Sequence, residues 1–168
     1  TRAVVVGEEF GLSAIINFGD LGLGPTFGHG HAHALSVIMF CDGKSILADP
    51  GTFSYTGHPE LRIYFRSTAA HNTVCVNGKD QAKQELLFMW SKPYVSDTLL
   101  VRQIGSAVAV VATHDGYAED RVEHRRMFIF DPGFGLYVED WLFSDCTFSC
   151  ELAWNINGKL TGNRIVTA

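Results

Sequence analysis

Three histidines alternate with small residues in the stretch GHGHAHALS, residues 28–36, and they are the first candidates for chemistry in this sequence. In an extended chain His29, His31 and His33 point to one face, because side chains repeat every two residues. The outer two would then lie roughly 13 Å apart, whereas a metal–nitrogen bond is only about 2.0–2.1 Å long. The spacing therefore allows one ion to bind one or two of these histidines, and it is equally typical of a solvated histidine-rich loop.

Two residues further along the chain could complete a metal site. Asp49 follows an apolar strand-like run in LADPGT, and His71 precedes another in STAAHNTV. Imidazoles combined with one carboxylate and an open position suit zinc. Each residue also has an ordinary structural explanation: Asp49 as a turn residue before a Pro-Gly pair, and His71 as a buried or loop histidine. The residue types alone leave both explanations open.

Composition and charge exclude several classes of partner. The 168 residues are 46% hydrophobic and 18% charged, with a formal net charge of −5, which is typical of one globular domain and gives no global attraction for nucleic acid or anionic membranes. No apolar run is long enough to cross a bilayer. An acidic substrate would need a locally basic cleft, for which the candidates are Arg62 and Arg66 near His71 and the segment HRR at 124–126.

The fold class follows from many short strand-like runs. Segments such as LSAIINF, ALSVIMFC, AVAVVAT and VEHRRMFIF are rich in β-branched and aromatic residues and are separated by turn signals. The sequence therefore predicts an all-β chain, most simply an antiparallel β-sandwich. The only weak helical pattern lies at 79–90. Three dipeptides are typical of hairpin turns: Asp42-Gly43, Asn77-Gly78 and Asn157-Gly158.

Two long loops, at 19–31 and 49–72, separate these strands, and long connections in a compact domain are usually functional.

The four cysteines are too few for a disulfide scaffold. Cys41 and Cys75 lie in apolar runs and are expected to be buried free thiols. Cys146 and Cys150 could either pair or remain free.

A longer pattern resembles a known family. The order GHGHAHALS, then DPGTF, then YFRSTAAHNTV, then VNGKDQ resembles the β-sandwich part of the heparinase II/III-like polysaccharide lyases. Downstream, HDGY (114–117), EHRR (123–126) and YVEDWL (137–142) resemble that family more loosely. The resemblance implies a sandwich that is part of a larger super-sandwich, with long metal-binding loops. It also implies that residues 1–168 form one domain of a longer chain, without the α/α-toroid domain that precedes the sandwich in the family.

The resemblance implies a role for each histidine in turn. The second His of His-Gly-His, the Asp of Asp-Pro-Gly and the His of Ala-His-Asn bind a structural zinc ion in the family, and these are His31, Asp49 and His71. His29 corresponds to the residue that reaches the catalytic cleft. Such lyases cleave uronic-acid-containing polysaccharides by β-elimination, and their catalytic Tyr and carboxylate-neutralising residue come from the toroid domain.

Other residues receive weaker or conflicting assignments. Arg66, Tyr55 and Tyr64 are possible substrate contacts, although Arg66 could instead pair with a carboxylate such as Asp49 or Asp80. His33 stands where the family usually has Asp, which could orient a ligand imidazole. His33 is therefore either a weaker replacement for that partner or an additional ligand.

Three functional interpretations remain open on the sequence. The first is the sandwich domain of a lyase acting on an acidic polysaccharide, in a periplasmic or secreted bacterial enzyme as the resemblance implies. The second is a non-catalytic, metal-stabilised carbohydrate-binding or structural module. The third is a metal-dependent hydrolase or cupin-like enzyme that uses the H-x-H pair, but it leaves the YFRSTAAHNTV segment unexplained. None of them involves nucleic acid or a membrane.

Overall fold

The computed structural model describes residues 3–7, 11–161 and 164–166, and strands dominate it. Every strand pair in the described part is antiparallel, which confirms the all-β prediction. In chain order the strands are β1 Ala3–Gly7, β2 Leu12–Asn17, β3 Val37–Cys41, β4 Lys44–Leu47, β5 Val74–Val76, β6 Lys83–Leu86, β7 Met89–Ser91, β8 Ser96–Ile104, β9 Ala107–His114, β10 Val122–Asp131, β11 Gly135–Ser144, β12 Cys150–Leu152, β13 Lys159–Thr161 and β14 Arg164–Val166.

Two four-stranded sheets form the two layers of the sandwich, with orders β1-β2-β3-β4 and β11-β10-β9-β8. Alternate residues of β10 are buried, as expected of a strand with one face on the core. Both sheets contribute to one apolar cluster, and this shared core holds the layers together. Its buried members include Ala14, Ile16 and Val37 from the first sheet and Val110, Ala112, Phe128 and Phe130 from the second.

Two of the three predicted dipeptides form hairpin turns, whereas Asn157 and Gly158 form a bend between Ile156, which bridges to Leu47, and β13. Asp42 and Gly43 join β3 to β4 with φ of 48° and 74°, the positive values that a two-residue hairpin turn requires. Asn77 and Gly78 adopt φ of 53° and 66° and follow β5.

All four cysteines are free, so Cys146 and Cys150 do not pair in this structure. No helix in the described part of the chain is both long and apolar enough to cross a membrane.

The segment at 79–90 is not helical, which corrects the weak helical interpretation. It contains β6 and β7, which pair with each other as a hairpin. Trp90 is only 3% exposed, and its indole Nε1–H donates to the Gly30 carbonyl at 3.0 Å. Its backbone N–H also donates to the Thr26 carbonyl at 3.0 Å. These tertiary contacts hold the segment extended, and they outweigh its helix-forming Lys, Gln and Glu residues.

The loop at 49–72 contains a helix that its sequence pattern did not predict. Helix α1 covers Pro59–Arg66, with Pro at its start, an acidic residue in its first turn and a basic residue in its last. At eight residues it is too short to show clear periodicity. Arg62 and Arg66, one helical turn apart, are the buried residues of this helix. The helix therefore directs two cationic side chains inward.

Candidate functional site

The backbone of the histidine segment is not extended, which changes what its spacing permits. The Gly30 N–H donates to the Phe27 carbonyl at 2.8 Å and closes one turn. The His33 N–H donates to the His31 carbonyl at 2.9 Å and closes a tighter one. The ring centroids of His31 and His33 are 5.8 Å apart as a result. Both rings can therefore approach a common point.

Gly30 is required in this segment because other backbone lies too close for a side chain. A Cβ atom at this position would lie 2.3 Å from the Leu21 carbonyl oxygen and 3.1 Å from that of Phe27. The Gly30 carbonyl accepts hydrogen bonds from Trp90 and, at 3.1 Å, from Arg66 Nε. The glycine thus lets the loop close on Leu21 and Phe27, and its carbonyl joins the loop to the helix and the β6–β7 hairpin.

Four of the predicted site residues come together in a group that we call the histidine cluster: His31, His33, Asp49 and His71. The ring centroids of His31 and His71 lie 5.3 Å apart, and those of His33 and His71 lie 5.1 Å apart. His71 Nδ1 donates to Asp49 Oδ2 at 2.8 Å. Three segments that are distant in sequence therefore meet at this point.

Asp49 is held on both of its oxygens. Oδ2 receives the hydrogen bond from His71, and Oδ1 accepts from the Gly51 N–H at 2.8 Å. The second contact is the turn interaction expected of Asp before Pro-Gly. Asp49 is thus both a turn residue and a partner of His71.

The environment keeps the His31 and His33 imidazoles neutral and the Asp49 carboxyl ionised. Burial, together with repulsion from His71 and His33, lowers the pKa of His31 to about 3. Burial likewise lowers the pKa of His33 to about 4, with His71 adding to the effect. Burial alone would raise the pKa of Asp49, but its hydrogen bond and charge interaction with His71 outweigh burial and lower it to about 2. Neutral imidazoles and an ionised carboxylate are the protonation states that bind a metal ion.

The histidine cluster has donor atoms that fit a metal ion, although they do not yet converge on one point. His71 is fully buried, and its Nε2 has no hydrogen-bond partner within the described structure. A buried polar atom without a partner is uncommon and calls for an explanation. As placed, no three His, Cys, Asp or Glu side chains of the described residues surround a single ion position. The rings would have to turn for their nitrogens to meet on one ion.

An open cleft of about 710 Å³ exposes this cluster. His29 lies at the same cleft and is itself exposed, as expected for a residue that meets a ligand. Its ring contacts Tyr55 edge-on at 6.0 Å. Neither Tyr55 nor Tyr64 is among the residues that line the cleft, and Tyr64, on α1, packs against Phe65. The cleft thus gathers His29, His31, His33 and Asp49, whereas His71 lies behind them.

Neither candidate arginine reaches the cleft surface. Arg62 and Arg66 are 2% and 0% exposed, and they donate to the carbonyls of Gly28, Gly30 and Leu87 rather than to any carboxylate. The alternative in which Arg66 pairs with Asp49 or Asp80 is therefore wrong. The Arg66 guanidinium instead lies 4.8 Å from the centre of the Trp90 ring. Burial, with the charge of Arg62, lowers the pKa of Arg66 to about 10.

Asn72 positions the cluster, and it was not singled out in the sequence. Its side-chain amide donates to the carbonyls of Val37 and Ala48 at 2.8 and 2.9 Å, and its oxygen accepts from the Asn155 N–H at 2.6 Å. Ala48 directly precedes Asp49, and Asn72 directly follows His71. The signal available in the sequence was the Asn in the AHNT motif, whose partners are distant along the chain.

The HRR segment belongs to a second polar group, which we call the buried network: His114, His124, Arg126 and Asp140. Arg126 binds both oxygens of Asp140, through Nε at 2.6 Å and Nη2 at 2.9 Å. His124 donates from Nε2 to Asp140 Oδ1 at 2.7 Å. Its Nδ1 lies 3.0 Å from Nε2 of His114. His124 and Arg126 are fully buried and the partly exposed Arg125 pairs with Glu123, so HRR does not form the basic cleft for which it was a candidate.

The buried network also supports the loops of the histidine cluster. Arg126 Nη1 donates to the carbonyls of Leu35 and Asn72, both at 2.8 Å. Leu35 lies two residues after His33, and Asn72 lies one residue after His71. The HDGY, EHRR and YVEDWL motifs thus contribute His114, Arg126 and Asp140 to one structure that holds the site from behind.

Comparisons with known proteins agree with this architecture. The family model described as Heparinase II/III-like, C-terminal matches residues 9–165. A solved heparinase III gene product superposes with a TM-score of 0.71 at 22% identity, covering 91% of this chain and 22% of that one. Heparan sulfate lyase HepC from Pedobacter heparinus gives a TM-score of 0.70 at 17% identity, over 88% of this chain and 21% of that one. The comparison with curated protein sequences gives no match.

The structural matches, at such low identity, establish the fold alone. The chain spans about a fifth of the length of the lyases that it matches. The family model, in contrast, extends over nearly the whole sequence, including the histidine cluster and the buried network. The chain therefore belongs to the heparinase II/III-like family, as its C-terminal domain.

Proposed function

We propose that this chain is the zinc-binding β-sandwich domain of a lyase that cleaves uronic-acid-containing polysaccharides by β-elimination. The observation that carries the proposal is the cleft: it brings His29 and the histidine cluster together in a chain whose family model matches residues 9–165. A domain of the α/α-toroid type would supply the other half of the active site. The corresponding location is the periplasm or the extracellular space of a bacterium.

β-Elimination makes three chemical demands. The uronate carboxylate must be neutralised, a base must remove the adjacent C5 proton, and an acid must protonate the leaving oxygen. His29 is the exposed imidazole at the cleft, so it is the residue of this chain that can meet substrate. We assign it to the proton transfer or to contact with the carboxylate. The remaining groups would come from the toroid domain.

Zinc has a structural role in this proposal. The cluster joins the histidine segment, the Asp-Pro-Gly turn and the segment after α1. A metal ion bound there would convert its binding energy into stability of the cleft. The unpartnered Nε2 of His71 supports this assignment. Bound zinc would add positive charge to the cleft, whose own lining includes Asp20 and Asp49.

An anionic substrate is supported by the two buried arginines. Arg62 and Arg66 lie beneath the cleft, bonded to the carbonyls of Gly28 and Gly30, which line it. Neither has a carboxylate partner among the described ion pairs. We take their charges, which no described ion pair engages, to favour an acidic ligand in a cleft that Asp20 and Asp49 also line. Heparan sulfate is the substrate class that the relatives' names suggest.

The proposal can be tested by measuring oligosaccharide binding and catalytic turnover separately. This chain alone, incubated with heparan sulfate and alginate oligosaccharides, should bind them but form no unsaturated uronate, detected by its ultraviolet absorbance. In the full-length protein that carries this domain, His29→Ala should lower kcat by about 100-fold or more, the usual contribution of a general acid or base. The matched control is His58→Ala, another exposed histidine, which should leave kcat unchanged.

Two outcomes would contradict this proposal. Turnover by the isolated chain would show that no second domain is needed. Binding without any unsaturated product from the full-length protein would instead establish the non-catalytic, metal-stabilised module.

A further inference from the structure

Asp49 faces a ring nitrogen of His71, and this contact bears on which atoms would bind zinc. One Asp49 oxygen accepts from His71 Nδ1–H and the other from the Gly51 N–H, both at 2.8 Å. His71 Nε2, on the opposite side of the ring, is buried and has no partner within the described structure. A carboxylate that holds one ring nitrogen while the other binds metal is a common arrangement in proteins. The free donor here is thus an imidazole nitrogen rather than a carboxylate oxygen.

His33 has the same kind of orientation. Its Nδ1 lies 2.9 Å from the His31 carbonyl, which can only accept, so Nδ1 carries the proton. Its Nε2 therefore retains a lone pair. The His31 ring is held less firmly, by a long 3.3 Å contact between its Nε2 and Thr52 Oγ1.

The spacing of the three rings matches that of a metal-bound triad. Three imidazoles that bind one ion through bonds of about 2.0–2.1 Å at tetrahedral angles have ring centroids roughly 5.2 Å apart. The centroids of His31, His33 and His71 are separated by 5.8, 5.3 and 5.1 Å. The ring positions therefore allow one shared ion, and the nitrogens would still have to turn toward it.

We infer that zinc bound here takes three imidazole donors, from His31, His33 and His71, while Asp49 acts as the carboxylate that orients His71. This inference rests on the zinc site of the proposed function. It gives His33 a direct role, and it moves Asp49 out of the donor set that the family resemblance implies. His31 and His33 line the cleft, so two of the three donors lie at its surface.

X-ray absorption at the zinc edge tests the donor set directly, because imidazole rings produce a countable scattering pattern. The zinc-loaded wild-type chain should show three imidazoles. Two imidazoles with additional oxygen donors would overturn this inference and leave the zinc site standing. A chain that binds no zinc would overturn the proposed zinc site as well, so the two failures are distinguishable.

Two substitutions give independent readouts, with circular dichroism to verify folding. His33→Asp introduces the residue usual in the family, and it should remove one imidazole from the spectrum and alter the visible absorption of the cobalt-substituted chain. Asp49→Asn should retain three imidazoles while zinc affinity falls about 10–100-fold, as expected for an orienting partner. His58→Ala, an exposed histidine outside the cluster, should change neither quantity. The inference would be contradicted if Asp49→Asn lost an imidazole donor, or if His33→Asp kept all three imidazoles.

Discussion

The histidine cluster and the buried network contain the same residue types but differ in how their polar atoms are satisfied. In the buried network Arg126 donates to Asp140 and to two carbonyls, and His124 contacts a partner through each ring nitrogen. In the histidine cluster His71 Nε2 has no partner among the described atoms, and His31 has only a long contact to Thr52. Only the cluster opens on the cleft through several of its members.

The difference indicates which group serves the fold and which serves a ligand. A fully satisfied buried network holds a single conformation, because each buried charge or lone pair would be costly without its partner. A cluster with an unpartnered buried nitrogen bears such a cost in the free chain, and a bound ion would remove it. Removing residues from the two groups should therefore have different consequences.

The largest expected effect is on stability, from Arg126→Met. This change leaves Asp140 buried without its bidentate partner and frees the carbonyls of Leu35 and Asn72. Breaking a buried pair on one side typically lowers the free energy of unfolding by about 3–5 kcal/mol. Urea unfolding followed by circular dichroism measures it.

Arg121→Met is the matched control, because Arg121 pairs with Asp145 at an exposed position. Its expected cost is within about 1 kcal/mol. Equal costs for the two variants would show that the buried network is not a principal support of the fold.

The next effect is on the pH dependence of stability. Burial lowers the pKa of His114 and of His124, with the Arg126 charge adding to the shift, although Asp140 opposes it for His124. Both therefore stay neutral in the fold, whereas the unfolded chain takes up protons below about pH 6.5. Their stabilising contribution is complete above that pH and is lost as the pH falls below it.

The slope of this loss can be assigned to one residue. Each such histidine contributes up to about 1.4 kcal/mol per pH unit to the slope. In chelator-containing buffer, His114→Gln should therefore reduce the slope between pH 6 and pH 5 by about that increment. His31 and His33 contribute in both chains, so the difference isolates His114. An unchanged slope would mean that His114 is not held neutral by the fold.

The smallest effect is expected from His31→Asn in metal-free buffer. The side chain that is lost makes only a 3.3 Å contact to Thr52, and it is repelled by neighbouring histidines when protonated. The free energy of unfolding should change by less than about 1 kcal/mol. A cost comparable to that of Arg126→Met would make His31 a structural residue and would remove the contrast between the two groups.

Sequence patterns predicted the strands well because β-branched and aromatic runs between turn signals mark strands locally. They did not predict which face is buried: in β10 the inward positions include His124 and Arg126, whereas Ile129 is exposed. The hairpin at 79–90 was misread because its extended form depends on Trp90 contacting Gly30, 60 residues away. Helix α1 was missed because eight residues are too few to establish a helical period.

Sequence reasoning identified the members of the site better than their arrangement. Resemblance to the family indicated His31, Asp49 and His71, and the fold brings them together with His33. The tight turn between His31 and His33, which brings their rings close, could not be read from alternating histidines. The role of Arg126 was hidden as well, because its contact with Leu35 joins residues 91 positions apart.

The zinc dependence of unfolding tests the central claim most directly. Zinc at about 100 times its dissociation constant should stabilise the wild-type chain by about 2.7 kcal/mol relative to chelator-treated chain. His58→Ala should show the same gain, whereas His71→Ala, which lacks the unpartnered donor, should show none. A wild-type chain that gains no stability from zinc, or a His71→Ala variant that gains as much, would contradict the assignment of the histidine cluster as a metal site.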